Sequence, residues 1–175
     1  GEKTWEHPEP ISIVICDPLR EPSIHASSSF QQARCDEYAK QLIQGVQNSQ
    51  SPSDNFAYTY HERLFLESQY DDVGRRLKTN SSTRRAVLYT WLPAIDNASG
   101  EVPCLQSIQL LIRDNRLNAL VYMRSNDILS AFGPNAYGFI RLLGMISLEL
   151  EVPMGTYTHI IGSPHLYPDR DRSDL

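Results

Sequence analysis

The order of its elements predicts an α+β chain with a mixed, largely antiparallel sheet packed by helices. Three observations carry that prediction. Strand-like and helix-like stretches are mixed without the regular alternation of a doubly wound sheet. Two apolar strands are joined by a tight Asp114-Asn115 turn, which makes them antiparallel neighbours. One long helix over residues 134–150 has the apolar stripe of an element that lies on a core.

Taken in order, ISIVIC (residues 11–16) is a short apolar run ending at the turn-rich DPLREP, so it reads as a buried strand. Ser28 or Ser29 can cap a helix running to Gly45, with Phe30, Ala33, Tyr38, Leu42 and Ile43 as its stripe. QNSQSPSDN is a polar loop. A second helix is expected over residues 64–78, interrupted by Gly74. RRAVLYTW alternates Ala86, Leu88 and Thr90 against Val87, Tyr89 and Trp91, as a strand does. Past the loop PAIDNASGE, a strand opens near Cys104 and puts Ile108, Leu110 and Ile112 on one face. LNALVYMR returns from the hairpin. Proline near the first turn, with Phe139, Leu142, Leu143, Ile146 and Leu150 on one side, defines helix 134–150. TYTHIIG is the last strand.

At 175 residues the sequence is read as one domain, 1–175, with residues 168–175 peripheral. An apolar fraction of 41% and a charged fraction of 21% are those of an ordinary globular chain. A net charge of −5 gives no reason to expect nucleic acid as a partner. The longest apolar run, ALVYM, is too short to cross a bilayer, and no leader pattern opens the sequence, so a cytoplasmic location is expected. Cys16, Cys35 and Cys104 are odd in number and lack metal-ligand spacing, which fits free thiols and no metal site.

The second half carries the chemistry. Cys104 follows a proline at the start of a strand, and YMRSND offers Arg124, Ser125 and Asp127. Asn135 follows in GPNAYGF, and His165 and Tyr167 in HIIGSPHLY. A cysteine of this kind is either a nucleophile with a depressed pKa beside arginines or an inert buried thiol. Arginine with serine suits a phosphate, whereas an Arg-Arg pair opening a strand, such as Arg84-Arg85, is more commonly just solvated. An asparagine can donate and accept one bond each on a uracil edge, or simply open its helix. Asp127 can approach a ligand or cap the next turn. His165 and Tyr167 alternate on a strand and so face one side.

Pro103-Cys104, Arg124-Ser125-Asn126-Asp127, Asn135 and His165-Leu166-Tyr167, with Arg84-Arg85 upstream, resemble the thymidylate synthase family, most closely its compact archaeal-type branch. The resemblance runs from about residue 58 to 167, with DPLREP and the capped helix matching more loosely. It implies a thymidylate-synthase-like fold and transfer of a one-carbon unit from 5,10-methylenetetrahydrofolate to C5 of dUMP, giving dTMP and dihydrofolate. Cys104 is then the nucleophile at C6, Tyr60 assists it, and Asp127 lies near the base. Arg124 and Ser125, Arg84 and Arg85 of the partner subunit, and Arg20 as a further ligand hold the phosphate. Asn135 reads uracil, where the family's cytosine-specific hydroxymethylases carry aspartate. His165 and Tyr167 take the sugar 3′-hydroxyl. A homodimer with shared sites follows, with folate as cosubstrate and no metal.

Some positions depart from the family pattern. The stretch VQNSQSPSDNFAYTY has no tryptophan, Met123 replaces a frequent glutamine, and His61 stands for a glycine. Gly162-Ser163-Pro164-His165 lacks a carboxylate, and the sequence ends at Leu175, where longer members continue over the folate. The catalytic glutamate has Glu37 as its nearest candidate and Glu62 as a second. These departures lie on the folate side, which keeps two alternatives open: a pyrimidine-nucleotide hydroxymethylase, and a nucleotide-binding homologue without turnover.

Overall fold

The computed structural model describes residues 3–21, 23–24, 31–46 and 58–170. Among these residues, six strands form one mixed sheet: β1 (Trp5–Glu6), β2 (Ile11–Ile15), β3 (Val87–Tyr89), β4 (Leu105–Arg113), β5 (Arg116–Asp127) and β6 (Met154–Leu166). The order is β1-β6-β5-β4-β3, with β2 also paired to β6. Only β5 and β6 run parallel; the other pairs are antiparallel. That parallel pair needs a crossover, and α5 (Phe132–Leu150) supplies it. Asp114 and Asn115 both take positive φ, which a two-residue hairpin turn requires.

One sheet face carries the core. Leu88, Ile108 and Val121 stand in cross-strand register under Leu142, Leu143 and Phe139 of α5. Helices α1 (Gln32–Gln44) and α3 (Gln69–Thr79) flank α5, and the short α4 (Pro93–Asp96) lies between β3 and β4. Gly45 ends α1 in the left-handed conformation at φ 68°, as its position in the sequence predicts. The helix start expected at Ser28 or Ser29, Phe30 of its stripe and the polar loop lie outside the described residues. Cys35, Ala39 and Leu42 make the buried stripe of α1, while Ala33 is exposed, so the expected stripe is rotated.

The second expected helix is in fact two: α2 (Tyr60–Leu64) and α3, separated by a single 3-10 turn (Leu66–Ser68). Glu67 and Ser68 both have positive φ, so the break lies there, whereas α3 runs unbroken through Gly74. The buried Gln69 side chain holds the break. Its amide donates to Arg63 O (2.5 Å) and Tyr89 O (3.1 Å), and its carbonyl accepts from Tyr89 N–H (2.9 Å). Among the described residues, no helix lies over the other sheet face. By register Tyr89 (43% exposed) and Tyr122 (38%) stand in one cross-strand row of that face, and Val14 (56%) stands in the next row with Val87.

Candidate active site

The C-terminal ends of β5 and β6, the residue before β4, α1, α2 and the first turn of α5 converge on a cleft of about 410 Å³. Cys104, Tyr60, Ser125, Asp127, Asn135, His165 and Tyr167 all line it, so the structure brings together most of the residues singled out in the sequence. Two features hold the cysteine. A register shift between Leu105 and Ser107 bends the start of β4, as bulges beside functional sites do. Tyr60 Oη accepts the N–H of Leu105, the next residue (3.1 Å).

Arg124 braces the same segment from the other side. Its Nε donates to Pro103 O (3.0 Å), its Nη2 to Val102 O (2.9 Å), and its backbone N–H to Cys104 O (2.8 Å). A depressed thiol pKa was the expectation; the structure corrects it. Burial pushes the Cys104 thiol up, and the opposing field of Arg124 does not outweigh it. Tyr60 is pushed well up by burial and Tyr58 to about 12, so both phenols are neutral near pH 7.

Ser125 Oγ and His165 Nδ1 lie 3.3 Å apart, and the rings of His165 and Tyr167 meet edge-on at 5.3 Å. The Asp127 carboxylate is fully engaged. It accepts from Leu129 N–H (3.0 Å) and Ser130 N–H (3.1 Å), from the Ser130 hydroxyl, and from Arg170. It therefore caps the turn after β5, and Arg170 lies over the Tyr167 ring at 4.2 Å. Asn135 enters at the first turn of α5, where its Oδ1 accepts from Tyr38 Oη (2.7 Å).

Four expected ligands do not line this cleft. Arg84 and Arg85 are exposed ahead of edge strand β3, Arg20 lies in the turn after β2, and the Arg124 guanidinium is turned onto the carbonyls of Val102 and Pro103. Neither glutamate candidate lines it. Glu37 is exposed on α1, and Glu62 closes a capping box with Thr59 at the start of α2. The neighbour of Glu37, Tyr38, reaches the cleft instead. Sequence reasoning missed Asn126, His159 and Arg170. His159 was findable, because it alternates in phase with Tyr157 and Ile161 and all three are wholly buried.

A family model described as thymidylate synthase matches residues 38–172. A protein of Methanocaldococcus jannaschii named "Putative thymidylate synthase" is 42% identical over 148 residues, covering 78% of this chain and 64% of that protein. The chain thus spans just under two thirds of that relative. A Bacillus phage SP01 protein named deoxyuridylate hydroxymethyltransferase is 31% identical over 125 residues, covering 69% of this chain and 31% of its own length. The crystal structure of thymidylate synthase from T4 phage superposes with a TM-score of 0.77 at 18% identity, covering 95% of this chain and 69% of that one. The fold is shared with that structure, and the match of the family model over most of the sequence settles membership: this chain belongs to the thymidylate synthase family.

Proposed function

We propose that the chain adds a one-carbon unit to C5 of dUMP, with 5,10-methylenetetrahydrofolate as cosubstrate and dTMP as product. The observation that carries this reading is the convergence of Cys104, Asn135, Ser125, His165 and Tyr167 on one cleft. C5 of uracil is a weak nucleophile. Addition of a soft thiolate at C6 turns it into the carbon of an enolate that bonds to the one-carbon unit. The folate nitrogen leaves as the C5 proton is lost, and hydride addition to the resulting methylene expels the thiolate and restores the ring.

Cys104 Sγ forms the C6 bond, and the Arg124 charge lowers the cost of its thiolate. Tyr60 Oη already accepts from Leu105 N–H, so its own O–H is left to donate toward the reacting ring. Asn135 meets the N3–O4 edge, His165 and Tyr167 the sugar hydroxyl, and Ser125 the phosphate. Tyr58 and Leu42 offer a flat, apolar wall that suits a pterin ring. Folate supplies the one-carbon unit and the reducing hydride. The chain acts as a homodimer through the sheet face opposite α5, where Val14, Tyr89 and Tyr122 are exposed. Arg84 and Arg85 of the partner subunit complete the phosphate site.

A second reading, hydroxymethylation of the same nucleotide, is favoured by the similarity to the phage hydroxymethyltransferase. Both readings need the same nucleophile. Cys104→Ala is expected to hold dUMP within a few-fold of the unsubstituted affinity and to lose turnover; undiminished activity in that variant overturns both.

A further inference from the structure

From Asn135, which meets the base in the reading above, a chain of polar groups runs beneath the cleft floor, and its other members have no part in the proposed chemistry. Tyr38 Oη donates to Asn135 Oδ1 (2.7 Å), and Asn135 Nδ2 donates to Asn126 Oδ1 (3.4 Å). Asn126 Nδ2 donates to His159 Nε2 (3.3 Å), whose Nδ1 lies 2.7 Å from Tyr157 Oη. Asn126, His159 and Tyr157 are 3%, 0% and 0% exposed.

A neutral imidazole has one donor and one acceptor, and an amide has one end of each kind, so such a chain must run in one direction throughout. A tyrosine stands at each end, and a phenol can donate or accept, so the five groups alone would allow either direction. The tie is broken by Met123. Its Sδ lies 3.3 Å from Asn126 Nδ2 and 3.8 Å from Asn135 Nδ2, and a thioether only accepts. Reversal would turn two amide oxygens onto that sulfur.

The direction matters because Asn135 opens onto the cleft. Its Oδ1 keeps one lone pair beyond the bond from Tyr38, and its Nδ2 keeps one hydrogen beyond the bond to Asn126, engaged only in the long 3.8 Å contact to Met123 Sδ that a base can take over. Uracil presents a donor at N3 and an acceptor at O4; cytosine presents an acceptor at N3 and a donor at its amino group. For a base in one pose, one amide orientation pairs with uracil and the flipped one with cytosine.

Resting on the uridylate reading above, we infer that Met123 is a specificity-determining residue, whose sulfur fixes the direction of the Tyr38–Asn135–Asn126–His159–Tyr157 chain and so makes the cleft take uracil over cytosine.

The direction is legible without any nucleotide. In nitrogen-15 NMR of the unliganded protein, His159 is expected to carry its proton on Nδ1, with Nε2 bare. The second measurement compares dUMP and dCMP binding calorimetrically in the unsubstituted protein and in Met123→Leu, which keeps the volume but removes the acceptor. The ratio of dCMP to dUMP dissociation constants should fall about tenfold in the variant, the worth of about one buried hydrogen bond. Tight dUMP binding together with a proton on Nε2, or an unchanged ratio in a folded Met123→Leu, overturns the inference alone. Binding of neither nucleotide by the unsubstituted protein overturns the uridylate reading and, with it, the role given to Met123.

Discussion

Acid should destabilise this protein through one histidine, by an amount that can be worked out. His159 is wholly enclosed among Tyr157, Asn126, Phe132 and Phe139, none of them charged. Burial holds its pKa down to about 4, against an ordinary value of 6.5. As pH falls through that window, the unfolded chain takes up a proton that the native state refuses. Stability attributable to this group is therefore complete above about pH 6.5. It falls by about 1.4 kcal/mol per pH unit, and the loss stops near pH 4 at about 3 kcal/mol in total. His159→Gln keeps a donor and an acceptor for its two partners but removes the proton-binding site. Urea unfolding of both proteins across this range should show the stability advantage of the unsubstituted chain narrowing by about 3 kcal/mol as pH falls. Groups common to both cancel in the difference. Parallel pH curves would refute the claim that a neutral, enclosed imidazole sits here.

Three further expectations follow from the site. Asp127→Ala should cost about 2 kcal/mol in urea unfolding, because two backbone N–H groups lose their cap. Asp127→Asn, which keeps an acceptor, should cost under about 1 kcal/mol because the lost ion pair to Arg170 is half-exposed; equal losses would remove the capping role. Iodoacetamide modification of Cys104 should rise with pH to a midpoint above that of an ordinary thiol, since burial raises its pKa, and Arg124→Met should move the midpoint higher still. Mixing inactive Arg85→Ala chains with inactive Cys104→Ala chains should restore part of the activity, and no recovery despite demonstrated subunit exchange would count against arginines reaching across the dimer.

Much of the fold was legible because its signals are local. Alternation at Ala86, Leu88 and Thr90, the Asp114-Asn115 turn and the α5 stripe each depend on nearby residues, and each is found. The break between α2 and α3 was not legible. It depends on Gln69 bonding to Tyr89 on a distant strand, and Gly74 offered a more obvious but wrong place for it. In the site, ordered motifs placed Cys104, Ser125, Asn135, His165 and Tyr167 around one cleft. The Cys104 pKa was misjudged because proximity of Arg124 can be read from spacing, whereas desolvation cannot. Arg170 left no trace, since its pairing with Asp127 appears only once the chain turns back after β6.

The central claim is tested most directly by the mass of the product formed from dUMP and methylenetetrahydrofolate, with UMP, dCMP and CMP run alongside. The account predicts that dUMP gains CH2 as dihydrofolate appears. A gain of CH2O would replace methylation by hydroxymethylation, and no product from any of the four, with nucleotide still bound, would contradict the catalytic reading.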